Sequence, residues 1–252
     1  PLDIANRRKH HAVVTLLSRH EDDVNAKTLG LFFACKNGHD DAARLLLEEG
    51  ARINQANKDG QTPLFVACHN GRVEVARLLL DKGAEVDRAD KDGHTPLYAA
   101  CAKGHVDAAR LLLDKGAAID RANKIGATPL FVACEAGHVD AARLLVDKGA
   151  EVDRAEKDGR TPLWTACLNG HVGAVRLLLV KGAEVDQAEK DGATPLYVAC
   201  QNGHVDAARL LLDKGAEVDR ATKNGATPLY TACQQGHDGA VRLLLDNGAE
   251  VD

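Results

Sequence analysis

The sequence predicts an all-α solenoid of about eight helix-turn-helix units, stacked side by side and joined by hairpin loops. Three observations carry this reading. Cysteine recurs at Cys35, Cys68, Cys101, Cys134, Cys167, Cys200 and Cys233, every 33 residues. The triplet Thr-Pro-Leu begins at Thr62, Thr95, Thr128, Thr161, Thr194 and Thr227, at the same interval of 33. Glycines stand at fixed places within each unit, as at Gly93, Gly104 and Gly116. Such a period marks stacked repeats, because one short helix pair cannot bury its apolar face alone.

Each element of the unit beginning at Asp92 has a local cause. Thr95 is a good N-cap, and Pro96 suits the first helical position, where its missing N–H is not needed. Gly104 stops this helix by accepting left-handed geometry. The second helix places Asp107 near its positive end and Lys115 near its negative end. Val106, Ala109, Leu112 and Leu113 form its buried stripe. Gly116 ends it, and the turn chemistry from Asp120 to Thr128 returns the chain to the next unit. With helices ~8–10 Å apart, the stack is expected to be roughly 60–80 Å long.

The ends depart from the pattern. The first unit carries Asn6, Arg7, Arg8, Lys9 and His10, a composition suited to a solvated cap. The connection between Asn25 and Leu31 is four residues shorter than later ones, which predicts a truncated or distorted first finger. The last unit keeps Leu243, Leu244 and Leu245 and shows no polar cap. That uncapped C-terminal end offers a surface for self-association, or for further repeats.

The pattern resembles the ankyrin repeat family, whose motif is Thr-Pro-Leu-His-x-Ala in a unit of about 33 residues. The resemblance covers essentially the whole chain. It implies a single repeat domain over 1–252, with an atypical N-terminal capping repeat at 1–28. Repeats follow at 29–61, 62–94, 95–127, 128–160, 161–193, 194–226 and 227–252, the last truncated. Two departures stand out. Phe65, Tyr98, Phe131, Trp164, Tyr197 and Tyr230 replace the family's histidine, and cysteine replaces its second alanine. A volume trade is expected, with larger rings in the first helix offsetting alanines such as Ala108 and Ala109 in the second.

Composition narrows the function. A net charge of −5 argues against nucleic acid as a partner, since phosphates require a basic face. Short apolar runs exclude direct membrane insertion by a helix. The histidines His39, His105, His138, His171, His204 and His237 recur one per unit. Ligands of one zinc lie within ~2.0–2.3 Å of it, whereas stacked equivalents sit ~8–10 Å apart. They are read as structural, and no metal or cofactor is expected. The cysteines are read as small buried hydrophobes, since a disulfide needs Cα atoms within about 7 Å. Reducible thiols without an N-glycosylation sequon point to an intracellular, cytoplasmic protein. No residue set has the single-pocket convergence that catalysis needs, so no catalytic residue is expected.

Function is therefore sought where the copies differ. Variation concentrates after the hairpin glycine, at Gln61, His94 and Arg160, and at the end of the first helix. The helix-end positions are His69, Ala102, Glu135, Leu168, Gln201 and Gln234, with Lys103 next to Ala102 also expected on the surface. In ankyrin proteins these places line a concave surface that grips protein or peptide partners. Ile125, at a tip position held elsewhere by Asp or Asn, is expected to join Trp164 and Leu168 in a central hot spot. Glu135 and Arg160 are its expected rim. Two rival readings are a regularised or designed scaffold without a dedicated partner, and a targeting module of a larger protein.

Overall fold

The Thr-Pro pairs start helices as their chemistry requires. In a computed structural model, which describes residues 24–251, Thr62 holds extended backbone and its hydroxyl accepts the Phe65 amide at 3.2 Å. Thr161 caps the Trp164 amide in the same way at 3.1 Å. Proline follows at the first helical position in each case.

The described residues form fourteen helices in seven pairs, with no strand among them. These are α1 (Val24–Asn37) and α2 (Asp40–Glu48), α3 (Pro63–His69) and α4 (Val73–Asp81), α5 (Pro96–Ala102) and α6 (Val106–Asp114). They continue with α7 (Pro129–Glu135) and α8 (Val139–Asp147), α9 (Pro162–Leu168) and α10 (Val172–Val180). The last are α11 (Pro195–Gln201) and α12 (Val205–Asp213), α13 (Pro228–Gln235) and α14 (Asp238–Asp246). The N-terminal cap expected over 1–28 lies outside the described residues except for 24–28.

The chain divides between Ala118 and Ile119 into two compact units. In the first, α1, α3 and α5 pack in succession, and α2, α4 and α6 do likewise. In the second, α7, α9, α11 and α13 form one row and α8, α10, α12 and α14 the other. Leu64, Leu97, Leu163 and Leu196 lie between helices at no more than 1% exposure. Each such leucine is worth roughly 1.5–3 kcal/mol of burial. Seven-residue helices are too short to persist alone, so the stack supplies their stability.

Between pairs the chain folds into a finger. The Asn57 amide donates to the Gln61 carbonyl at 2.9 Å, while Asn57 Oδ1 accepts the amides of Asp59 and Gln61. Asp90, Asn123 and Glu156 close their fingers similarly. Gly60, at φ +85°, sits so near the next finger that a Cβ would lie 2.7 Å from the Lys91 amide nitrogen. Neighbouring fingertips are joined through backbone, Lys91 to the Asp59 carbonyl at 3.1 Å and Lys157 to the Ile125 carbonyl at 2.9 Å.

The first described pair departs from the rest. Leu29 and Gly30 occupy the places of threonine and proline, so nothing starts a helix there. α1 instead runs for 14 residues, against seven in α3. The segment expected to form a truncated finger is helical from Val24 onward. Thr28 Oγ1, buried in this added part, accepts the Arg52 amide at 3.1 Å.

Candidate protein-interaction surface

Finger bases and first-helix ends hold the residues that vary. In the first unit, His94 lies on Tyr98 with ring centroids 4.4 Å apart, and its Nδ1 donates to Asp90 Oδ2 at 3.2 Å. Gln61 Oε1 accepts from Asn57 Nδ2 at 3.1 Å, and His69 stacks on Phe65 one turn earlier. Lys103, at the end of α5, is exposed. Burial, then the charges of Lys103 and His105, hold the His69 pKa below its usual value.

In the second unit the guanidinium of Arg160 sits 5.1 Å above the Trp164 ring. The indole N–H donates to the Ala193 carbonyl at 2.9 Å, in the next finger. Trp164 retains 6% of its surface. It is a platform beneath Arg160 rather than an exposed anchor, which removes the centre of the expected hot spot. Ile125 stands on a fingertip at 56% exposure. Leu168 lies half-buried at the other end of α9, roughly 10 Å along the helix axis from its start. Glu135, Arg160 and Gln234 are exposed and Gln201 is half-buried. Tyr98 and Trp164 both reach finger residues, Tyr98 through His94 and Trp164 through the Ala193 carbonyl.

The histidine series has a structural role finer than its spacing revealed. His171 lies across Gly137, where a Cβ would come within 2.7 Å of its Nδ1, and its Nε2–H donates to the Glu135 carbonyl at 3.0 Å. His204 and His237 bond the carbonyls of Leu168 and Gln201 in the same way. Arg72 fills the slot in the first unit, its Nε donating to the Lys36 carbonyl at 3.1 Å. A second series ties neighbours at the finger roots. Asp120 accepts the Glu151 amide, Asp153 that of Glu184 and Asp186 that of Glu217. Burial raises all three carboxyl pKa values, partly countered by those hydrogen bonds.

No disulfide joins the cysteines, and Cys233 is exposed while the other six are buried. Burial pushes the thiols of Cys101 and Cys200 up to about 12, and those of Cys35, Cys68 and Cys167 upward as well. Thiols held protonated in this way are poor nucleophiles. One cluster escaped the spacing argument, since Asp90, Asp92 and His94 bring ligand atoms within 4.8 Å of one another. Its Asp90 oxygens are occupied by the Asp92 and His94 amides and by His94 Nδ1. Its role is to close the finger.

Sequence comparison of the six Thr-Pro-Leu copies also missed a groove beside α1. Leu29, Phe33 and Lys36 of α1 face Phe65, Val66 and His69 of α3 across about 580 Å³, with Gln61 at one end. The available signal was Phe33, which stands where the copies carry Val66, Ala99, Val132, Thr165, Val198 and Thr231.

Paired helices in register, fingers capped at their roots and a family model for ankyrin repeats in three copies all coincide. That model matches residues 2–90, 31–123, 83–156, 117–189, 152–222 and 174–252. The chain belongs to the ankyrin repeat family. Among solved structures, this ankyrin chain is similar to the ankyrin repeat domain of human ASB11, at 29% identity and a TM-score of 0.79. The match covers 88% of this chain and 99% of that one. No curated protein matches the sequence. Ankyrin repeats are generally protein–protein interaction modules and typically non-enzymatic. Among the described residues, no helix is long and apolar enough to cross a membrane.

Proposed function

We propose that this chain is a non-enzymatic scaffold that binds a protein or peptide partner on its concave face, formed by finger bases and first-helix ends. The supporting observation is the division inside each repeat. Thr-Pro-Leu and the helix-closing Gly-His contacts barely change and are packed or hydrogen-bonded between neighbours. Gln61, His94 and Arg160, and His69, Lys103, Glu135, Leu168, Gln201 and Gln234, differ from copy to copy and reach solvent. A surface carried on such a frame loses little freedom on binding, which favours affinity. Ile125 supplies an apolar contact at a fingertip, and Trp164 holds Arg160 in place for a partner. The buried, reducible thiols favour an intracellular setting.

The test is capture by the immobilised chain, compared across variants. Ile125→Asp combined with Leu168→Asp should abolish stoichiometric capture of a partner while circular dichroism stays unchanged. The outer-face variant Arg143→Glu should capture normally. Capture that survives both this double variant and the groove variant Phe33→Asp, or that falls equally with Arg143→Glu, overturns the reading.

A further inference from the structure

The groove of the first unit has a chemistry that the rest of the variable surface lacks. Its walls are apolar, with Leu29 and Phe33 at 70% and 51% exposure on one side and Val66 over the buried Phe65 on the other. Two large apolar side chains left exposed on one wall of a groove of this size are uncommon on a surface with no ligand. One end of the groove is basic. Lys36 lines it beside the imidazole of His69, and Lys103 follows the end of the next first helix, α5. The corresponding helix ends of the second unit are Glu135, Leu168, Gln201 and Gln234, none of them basic. Positive charge at first-helix ends is thus confined to this unit, in a chain whose net charge is −5.

We infer that this groove is the docking site for an acidic peptide segment with a bulky aliphatic or aromatic anchor. The anchor enters between Phe33 and Val66, and carboxylates beside it meet Lys36 and Lys103. Complementary charge chooses the partner class and speeds encounter, while the buried anchor supplies most of the affinity. The inference rests on the scaffold reading above and names the partner chemistry for one part of that surface.

Fluorescence anisotropy of the full chain tests it. The probe is a labelled peptide of Asp and Glu residues around a central Leu-Phe pair. Two further peptides carry Lys for every acid, or Ala for Leu and Phe. The acidic apolar peptide should bind, and each altered peptide should bind about tenfold or more weakly. Phe33→Asp, at an exposed position, should weaken binding about tenfold with an unchanged melting temperature. Lys36→Glu with Lys103→Glu should reverse the preference between acidic and basic peptides. Equal binding of all three peptides overturns the inference, as does indifference to both variants. A dimer of the chain that Phe33→Asp abolishes overturns it too, by giving the groove to a second copy. The two readings fail separately. If a captured partner is lost with Ile125→Asp and Leu168→Asp but ignores Phe33→Asp, the groove assignment alone falls. If capture survives every such variant, the scaffold reading falls.

Discussion

α1 and α9 occupy the same place in their repeats and differ in almost everything a partner would meet. α9 begins where Thr161 and Pro162 dictate, spans seven residues and buries its tryptophan beneath the following finger. α1 has Leu29 and Gly30 there, spans 14 residues and leaves Leu29 and Phe33 open. Where Thr161 and Pro162 stand the helix starts at the proline; where Leu29 and Gly30 stand it runs back to Val24. The difference teaches that the threonine and proline are as much finger-makers as helix caps.

Removing the packed ring should show the contrast at its largest. Trp164→Ala is expected to lose about 3–5 kcal/mol in urea unfolding, while Phe33→Ala, half-exposed, should lose under about 1 kcal/mol. Comparable losses would break the comparison. Writing the α9 signal into α1, as Leu29→Thr with Gly30→Pro, places proline inside a helix and should cost about 3 kcal/mol. Hydrogen exchange should then show residues 24–28 losing protection; retained protection would mean that tertiary packing, not the cap, sets the start of α1.

Smaller effects probe the ties between neighbours. His171→Ala removes one hydrogen bond to the preceding repeat and should cost about 1 kcal/mol by thermal unfolding, whereas Arg72→His should be close to neutral because both residues serve that slot. Asp153→Asn tests the finger root. Burial holds this carboxyl above the usual carboxylate range, so ionisation penalises the folded state as pH rises through that raised value. The substitution should raise the melting temperature near pH 7 and leave it unchanged at about pH 3, where both states are protonated. Asn54, which accepts the Glu85 amide at 3.0 Å in the equivalent place, shows that asparagine fits. The smallest change is expected from Val180→Asp. Lys115 pairs with Asp81 and Lys181 with Asp147, 34 residues apart, and the same offset joins Lys214 to Val180. Restoring an acid there should add a few tenths of a kcal/mol, screened by salt.

Features made by adjacent residues were legible in the sequence. Thr95-Pro96 announces a helix start, Gly104 its stop, and the 33-residue period the stacking. The hot spot expected around Trp164 followed from its neighbour Leu168 along α9, whereas its hydrogen-bond partner lies 29 residues on. The histidines were recognised as structural, yet their acceptors are carbonyls 36 residues upstream and leave no mark on local composition. The groove beside α1 was hidden for a different reason. Its repeat has Leu29-Gly30-Leu31 in place of the Thr-Pro-Leu that marks the other copies, so Phe33 carries no motif beside it.

The hydrogen bonds between repeats reach only 29 to 36 residues along the chain. A ribosome adds that length in roughly two to seven seconds. Each repeat therefore finds its stabilising partner in the very next stretch to emerge, and need not wait for distant sequence. Growth from one end is built into the spacing, so synthesis and assembly advance together.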